Sequence, residues 1–304
     1  MMCSITTTFL NGQITIAFQG FEGSASDTWN FTPPFQNTNL PRVDVGAGNY
    51  GPGYALTGIN SMRIGGGSTT CGAGGSNCLN GSSNGGQCTN NNNGATLDLQ
   101  SISIQCYRNV QVSVAYRTHI LCATEGQGFD ASDRIFFELS LDGAPFFIAS
   151  NVNGFNNCTW NYTDASVLCA GPAVQNPFVY SVPLGTNSVA LRIRLQVNRS
   201  DEVLYIDDIT LTGEKSGGFS YPSPLCLNSL NSESPVLDAT LNPGGTFSTF
   251  PVSGLFLNPT SGIIIPSQSD EGIYQVNYEI SNEICATSSV TIQGNIITTP
   301  IYHD

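Results

Sequence analysis

The chain has 304 residues, enough for two domains, and an ordinary apolar fraction of 40%. Only 10% of its residues are charged, against about 25% in an average soluble protein, and the formal net charge is −13. That balance argues against nucleic acid and anionic membrane surfaces, which call for basic patches, and no run of about 20 apolar residues is present for membrane insertion. It suits divalent cations and neutral ligands such as sugars.

Ten cysteines accompany a single lysine, Lys215. This usage points to disulfides and a secreted or cell-surface setting. There is no Cys-x-x-Cys pair, and the histidines are His119 and His303, so zinc spacing is absent.

Residues 1–12 lack a basic start and a continuous apolar core. They are unassigned, as the remnant of a signal peptide. From Gln13 onward, period-two alternation recurs and helical periodicity is nearly absent. Ile14, Ile16 and Phe18 alternate; residues 27–60 read as loop with short extended pieces; Met62 and Ile64 share a face. Residues 66–93 are almost pure Gly, Ser, Asn and Cys, too poor in apolar surface to order themselves. Strands resume with 95–104, then Val110, Val112, Val114 and Tyr116, then Ile135, Phe137, Leu139 and Leu141 before an Asp142-Gly143 turn. A clean strand follows, with Val189, Leu191, Ile193, Leu195 and Val197 inward and Arg192 and Arg194 outward.

The stretch 203–213, Val-Leu-Tyr-Ile-Asp-Asp-Ile-Thr-Leu-Thr-Gly, is apolar on both faces, the mark of an interior strand. Asp207 and Asp208 stand in its middle and require a partner if buried. With cationic side chains scarce, a metal ion is a serious candidate. Residues 13–213 therefore read as an antiparallel β-sandwich, 214–219 as a Gly-rich linker, 220–293 as a smaller sandwich of seven short strands, and 294–304 as a tail. The fold class is all-β throughout.

Several motifs fail on context. The G-x-G-x-x-G at 46–51 runs into Pro52-Gly53 instead of a helix, and the G-x-S-x-G at 81–85 lies in a Gly/Asn loop. A Cys122–His119 nucleophile is outweighed by a Cys106–Cys122 disulfide, and Asp130, Asp133 and Asp201 read as turn-capping residues before a second cation site. No constellation supports catalysis, so the chain reads as a non-enzyme. The favoured disulfides are Cys158–Cys169, Cys226–Cys285, which would staple the first and last strands of the second unit, and then Cys106–Cys122. The partners of Cys3, Cys71, Cys78 and Cys88 stay open. Trp160 and Tyr162, inside the Cys158–Cys169 loop, are candidates for stacking on a sugar, whereas Trp29 reads as core.

Phe21-Glu22-Gly23 with Trp29, the Met62-Arg63-Ile64-Gly65-Gly66 strand, and Tyr205-Ile206-Asp207-Asp208-Ile209 resemble the jelly-roll β-sandwich of carbohydrate-binding modules and MAM-like domains. The run of residues 76–95, with 117–119, 126–130 and 199–202, is similar to jelly rolls in large secreted proteins of gliding and other Bacteroidetes-type bacteria. In such jelly rolls calcium ties the first strand to the last. The resemblance implies Glu22 and Asp207 as ligands, Asp208 as second choice and Asn60 as a further oxygen, in a structural role. The second unit, through Ser220-Tyr221-Pro222, Cys226, Gly244–Ser248, Gly254-Leu255, Gly262–Ile264, Gly272–Val276 and Cys285, resembles the Ig-like repeats of bacterial adhesins and gliding-associated proteins. Those usually come in tandem, and a single copy implies a fragment or an assembling subunit.

Together these imply a non-catalytic adhesion or structural surface protein that binds itself or other surface proteins by strand addition, with calcium as a structural cofactor. The alternative is a carbohydrate-binding module with glycan partners, free or from a larger secreted hydrolase.

Overall fold

The computed structural model describes residues 12–32, 42–45, 56–58, 60–65, 83–84, 87–88, 95–120, 133–153, 178–196 and 202–294. Trp160, Tyr162, Cys122, Cys158, Cys169, Asp130 and Asp201 lie outside them. Among the described residues no helix is long and apolar enough to cross a membrane. The architecture is all-β and, among the described residues, has one short 3₁₀ turn at Pro266–Gln268.

The chain forms two compact units. Among the described residues, one holds those within 14–104 and 109–213, and the other holds 12–13, Gln105–Arg108 and 214–294. The strands in chain order are β1 (Ile14–Gln19), β2 (Phe31–Thr32), β3 (Arg42–Val45), β4 (Asn60–Gly65), β5 (Ser83–Asn84), β6 (Gln87–Cys88), β7 (Ala95–Leu99), β8 (Ile102–Ser103), β9 (Tyr107–Ile120), β10 (Arg134–Leu141), β11 (Phe147–Asn153), β12 (Phe178–Ser181), β13 (Ser188–Gln196), β14 (Glu202–Lys215), β15 (Phe219–Ser220), β16 (Leu225–Cys226), β17 (Val236–Leu237), β18 (Thr246–Phe250), β19 (Gly272–Ile280) and β20 (Glu283–Gln293).

In the larger unit one sheet runs β12-β9-β14-β4-β3, with β1 also on β14; the other runs β11-β10-β13-β7-β2, with β8 on β13. The alternation in β13 decides its orientation: Val189, Leu191, Ile193 and Leu195 are buried, and Arg192 and Arg194 take the opposite face. Ile135, Phe137 and Leu139 of β10 pair with Leu195, Ile193 and Leu191. The two sheets meet where Phe137 packs against Tyr116 of β9 at 5.1 Å and stacks on Phe178 of β12 at 4.3 Å. Asp142 and Gly143, both at positive φ, turn the chain from β10 towards β11. Trp29 is fully buried, and its indole N–H donates to the Gln100 carbonyl.

β14 is interior, as its two apolar faces require. Leu204, Tyr205 and Ile206 are all fully buried. The strand pairs with β4 over Val203–Ile206 and with β1 over Ile209–Gly213. The change of partner falls at Asp207 and Asp208, and Asp208 takes a left-handed φ of 44° there.

In the smaller unit the main sheet runs β16-β20-β19-β18, with β15 and β17 paired separately. Its core gathers Phe219, Tyr221, Phe247, Ile264, Val276 and Val290. Cys106 belongs to this core and is bonded to Cys285. The expected Cys226–Cys285 and Cys106–Cys122 pairs are therefore corrected, and Cys226 is free and exposed. Register explains the first: β16 pairs in parallel with the far end of β20, placing Cys226 opposite Gln293. Cys285 lies eight residues earlier on β20, roughly 26 Å along an extended chain and out of reach of a disulfide. Backbone and side-chain bonds hold the 105–108 segment in place. Ser216 N–H donates to the Cys106 carbonyl, Asn242 Nδ2 donates to those of Gln105 and Tyr107, and Arg108 pairs with Glu214 at 3.3 Å.

Candidate functional site

The first candidate site lies where β1, β14 and β4 come together. β1 ends in a tight turn. The Gln19 side chain accepts from Phe21 N–H and donates to the Trp29 carbonyl, while Phe21 and Gly23 take positive φ. This turn presents Glu22. Its Oε1 accepts Asn60 N–H at 2.7 Å and its Oε2 accepts Asn60 Nδ2 at 3.2 Å. Gly58, at φ +64°, lies against the same carboxylate, and a Cβ there would collide with it.

Asp207 is fully buried. Its Oδ2 accepts the N–H groups of Leu56 and Thr57 at 2.7 and 3.2 Å, and its Oδ1 accepts Asp208 N–H at 2.8 Å. Asp208 accepts the Thr57 hydroxyl at 2.7 Å. Burial lifts the Asp207 carboxyl to about 7, with the neighbouring Asp208 charge adding to the rise and the three N–H donors opposing it. Glu22 and Asn60 thus meet directly, Asp207 and Asp208 meet through Thr57, and the short segment 56–60 joins the two pairs. The partner that the buried Asp207 needs is, among the described residues, backbone N–H groups, those of Leu56 and Thr57 together with that of Asp208.

A hard cation takes six to eight oxygens. No group of three or more His, Cys, Asp or Glu side chains is placed to hold a metal among the described residues. The chemistry of the donor set still fits calcium in one respect: Asn60 Oδ1 is a buried acceptor that meets no donor among the described residues.

A second candidate is one the sequence reading missed. On the outward face of β7, β10 and β13, Arg192 forms a two-pronged bond to Asp98, both contacts at 2.7 Å, and Arg194 bonds Glu138 at 2.6 and 3.0 Å. Each guanidinium also covers an aromatic ring, Arg192 over Phe146 at 4.2 Å and Arg194 over Phe136 at 3.8 Å. Cross-strand register builds the set, for Arg192 stands opposite both Glu138 and Asp98, and Arg194 opposite Phe136. The available signal was the outward Arg192 and Arg194 with an acid at matching parity in each neighbouring strand. Of the other residues singled out earlier, Asp133 is fully buried.

No protein-family model matches the chain, and no curated protein matches it. It is similar to a solved structure described as "Family 16 Carbohydrate Binding Module-2", at 12% identity over 52% of this chain and 79% of that one, with a TM-score of 0.24. It is also similar to one described as "Crystal structure of botulinum neurotoxin serotype D binding domain", at 10% identity over 89% and 73%, with a TM-score of 0.25. At these values neither likeness carries weight for a ligand or an activity.

Proposed function

We propose that this chain is a non-catalytic extracellular adhesion protein whose larger unit takes up a strand from a second surface protein or a second copy. The observation that carries this is the character of β11. It is the outermost described strand of its sheet, seven residues long, Phe-Ile-Ala-Ser-Asn-Val-Asn, with neither charge nor proline. Soluble proteins usually blunt such an edge. Phe147 and Ile148 are 40% and 54% exposed, and Phe147 lies 6.3 Å from Tyr180 of β12, the outermost described strand of the other sheet. The bulge opposite Phe137 and Glu138 interrupts only the middle of the strand. A disulfide-bonded core in the smaller unit is compatible with an extracellular place of work.

Calcium belongs to this reading as a structural ion. Glu22 and Asp207 would hold it, with Asp208 and the Asn60 carbonyl oxygen as further donors. It would supply positive charge where the chain now gathers carboxylates.

The edge is tested by Ile148→Lys and Asn151→Pro in the full chain. Both are exposed changes, so stability should move by no more than about 0.5 kcal/mol for the lysine. Sedimentation velocity and negative-stain microscopy should show assemblies of the wild type that both variants lose. A wild type that stays monomeric and captures no purified surface protein sinks the proposal.

A second reading, a carbohydrate-binding module, has the Arg192–Asp98 and Arg194–Glu138 pairs in its favour. They fix polar groups on the outward face of the sheet, as sugar recognition requires. Arg194→Met should then abolish glycan binding by this unit in an equilibrium titration; unchanged affinity would make the face an internal brace.

A further inference from the structure

We infer that the outward face of the β18-β19-β20 sheet, in the smaller unit, is a binding face for a neutral glycan. This is separate from the strand-edge reading and lies on the other unit, so the two tests fail independently.

Register fixes which side chains share the face. Tyr274, Val276 and Tyr278 of β19 are buried in the core. Residues of opposite parity therefore lie on the other face of the sheet, where Ile273 and Gln275 are exposed and Asn277 is buried. Gln275 of β19 stands opposite Phe250 on one side and Ser289 on the other, and Asn277 stands opposite Thr287. Residues directly opposite in an antiparallel pair project from the same face. Ile273, two residues from Gln275, therefore lies diagonal to Phe250 on that face.

Two features of this surface point to a sugar. The first is apolar. Phe250 is 68% exposed and Ile273 71%, and they form a neighbouring pair at one end of the sheet. An exposed ring beside an aliphatic side chain is what the C–H face of a pyranose packs on. The second is polar. Gln275 Nε2 donates to Asn277 Oδ1 at 2.9 Å, and the Thr287 hydroxyl donates to the same oxygen at 3.2 Å. Asn277, itself buried, thus holds both groups in place through its Oδ1, leaving the Gln275 carbonyl and the exposed Ser289 hydroxyl to meet sugar hydroxyls.

Charge selects the class of glycan. Of the side chains that share this face in β18 and β19, only Glu279 is ionisable. It lies opposite Thr246, at the other end from Phe250, and accepts the Ser248 hydroxyl. The face offers no cation to a sulfate or carboxylate, and the chain's net charge of −13 repels anionic polymers. The ligand is accordingly uncharged. The contrast with the larger unit is direct, since there the outward face is knitted by ion pairs and its rings are already covered by arginines.

The test uses the purified full chain on an array of neutral and anionic glycans, followed by calorimetric titration with the strongest neutral oligosaccharide. Phe250→Ala and Gln275→Ala should each weaken binding about tenfold, the scale of one lost stacking or hydrogen-bonding contact. Phe250→Tyr, which keeps the ring, should bind like the wild type, and melting temperatures should not move. No neutral glycan bound, binding confined to anionic glycans, or full affinity in Phe250→Ala and Gln275→Ala each overturn the inference. So does a loss of affinity that Phe250→Tyr shares or that follows a lowered melting temperature.

Discussion

Replacing Cys106 and Cys285 together by alanine is expected to lower the stability of the smaller unit by about 5 kcal/mol, the chain-entropy value for a cross-link of this span. The two cysteines are 179 residues apart in sequence, so reduction frees a very long loop in the unfolded chain. Any other cross-link within that span shortens the loop and lowers the figure, though only slowly, because closure entropy depends on the logarithm of loop length. Both sulfurs are buried in the core with Phe219 and Val290, so the alanines also forfeit packing. Urea unfolding, followed by the fluorescence of the smaller unit's tyrosines, measures the loss. Cys226→Ser is the control. Its thiol is exposed and unbonded, and its replacement should cost no more than about 0.5 kcal/mol. Equal midpoints for the wild type and the double variant, or a larger loss in Cys226→Ser, would refute the pairing; peptide mapping under non-reducing conditions checks it directly.

That bond also shows what the sequence could convey. β13 was legible because every second residue is a large aliphatic, so a slip of one residue would put Arg192 and Arg194 into the core. β14 was legible because Leu204, Tyr205 and Ile206 are consecutive and apolar, which only a strand covered on both faces tolerates. Cys106 was not legible, because a disulfide depends on where two strands stop relative to each other. Reading Cys285 on the last strand agrees with β20, whereas Cys226 lies on β16, after β15. The pairing failed as distance, since β16 pairs with the opposite end of β20. The aspartates divide in the same way. That Asp207 or Asp208 would need a partner if buried followed from their place in an apolar strand, and the partner expected was cationic. That the donors are the N–H groups of Leu56, Thr57 and Asp208 did not, because every residue except proline carries an amide and its use leaves no mark on the side-chain sequence. The Arg–carboxylate face was missed for a related reason. Asp98, Glu138 and Arg192 are far apart in sequence and meet only through the order β10-β13-β7.

In chelator, the wild type should lose stability as pH rises from 5 to 8, and Asp207→Asn should not show that loss. The sign follows from linkage. Burial holds the folded carboxyl at about 7, whereas in the unfolded chain it titrates near about 4. Between those values the folded chain keeps a proton that the unfolded chain has released. The stability attached to this group is therefore fully present below about pH 4 and falls until about pH 7. A gap of about three pH units corresponds to on the order of 4 kcal/mol. Asparagine has no such titration, so its profile lacks this slope. It starts lower, because its NH₂ group turns towards backbone donors and leaves at least one unsatisfied, at about 1–3 kcal/mol. Calcium provides the second arm. If Glu22, Asp207 and their neighbours hold it, the ion binds the charged carboxylate and should recover the wild type at pH 8 while leaving Asp207→Asn unaffected. Thermal melts at pH 5 and pH 8, with calcium and with chelator, decide both points. Parallel slopes in the two proteins would show that Asp207 does not titrate in this range, and equal calcium shifts would remove it from the ligand set. A wild type that weakens with pH and ignores calcium would leave the amides of Leu56, Thr57 and Asp208 as the partners of the buried charge.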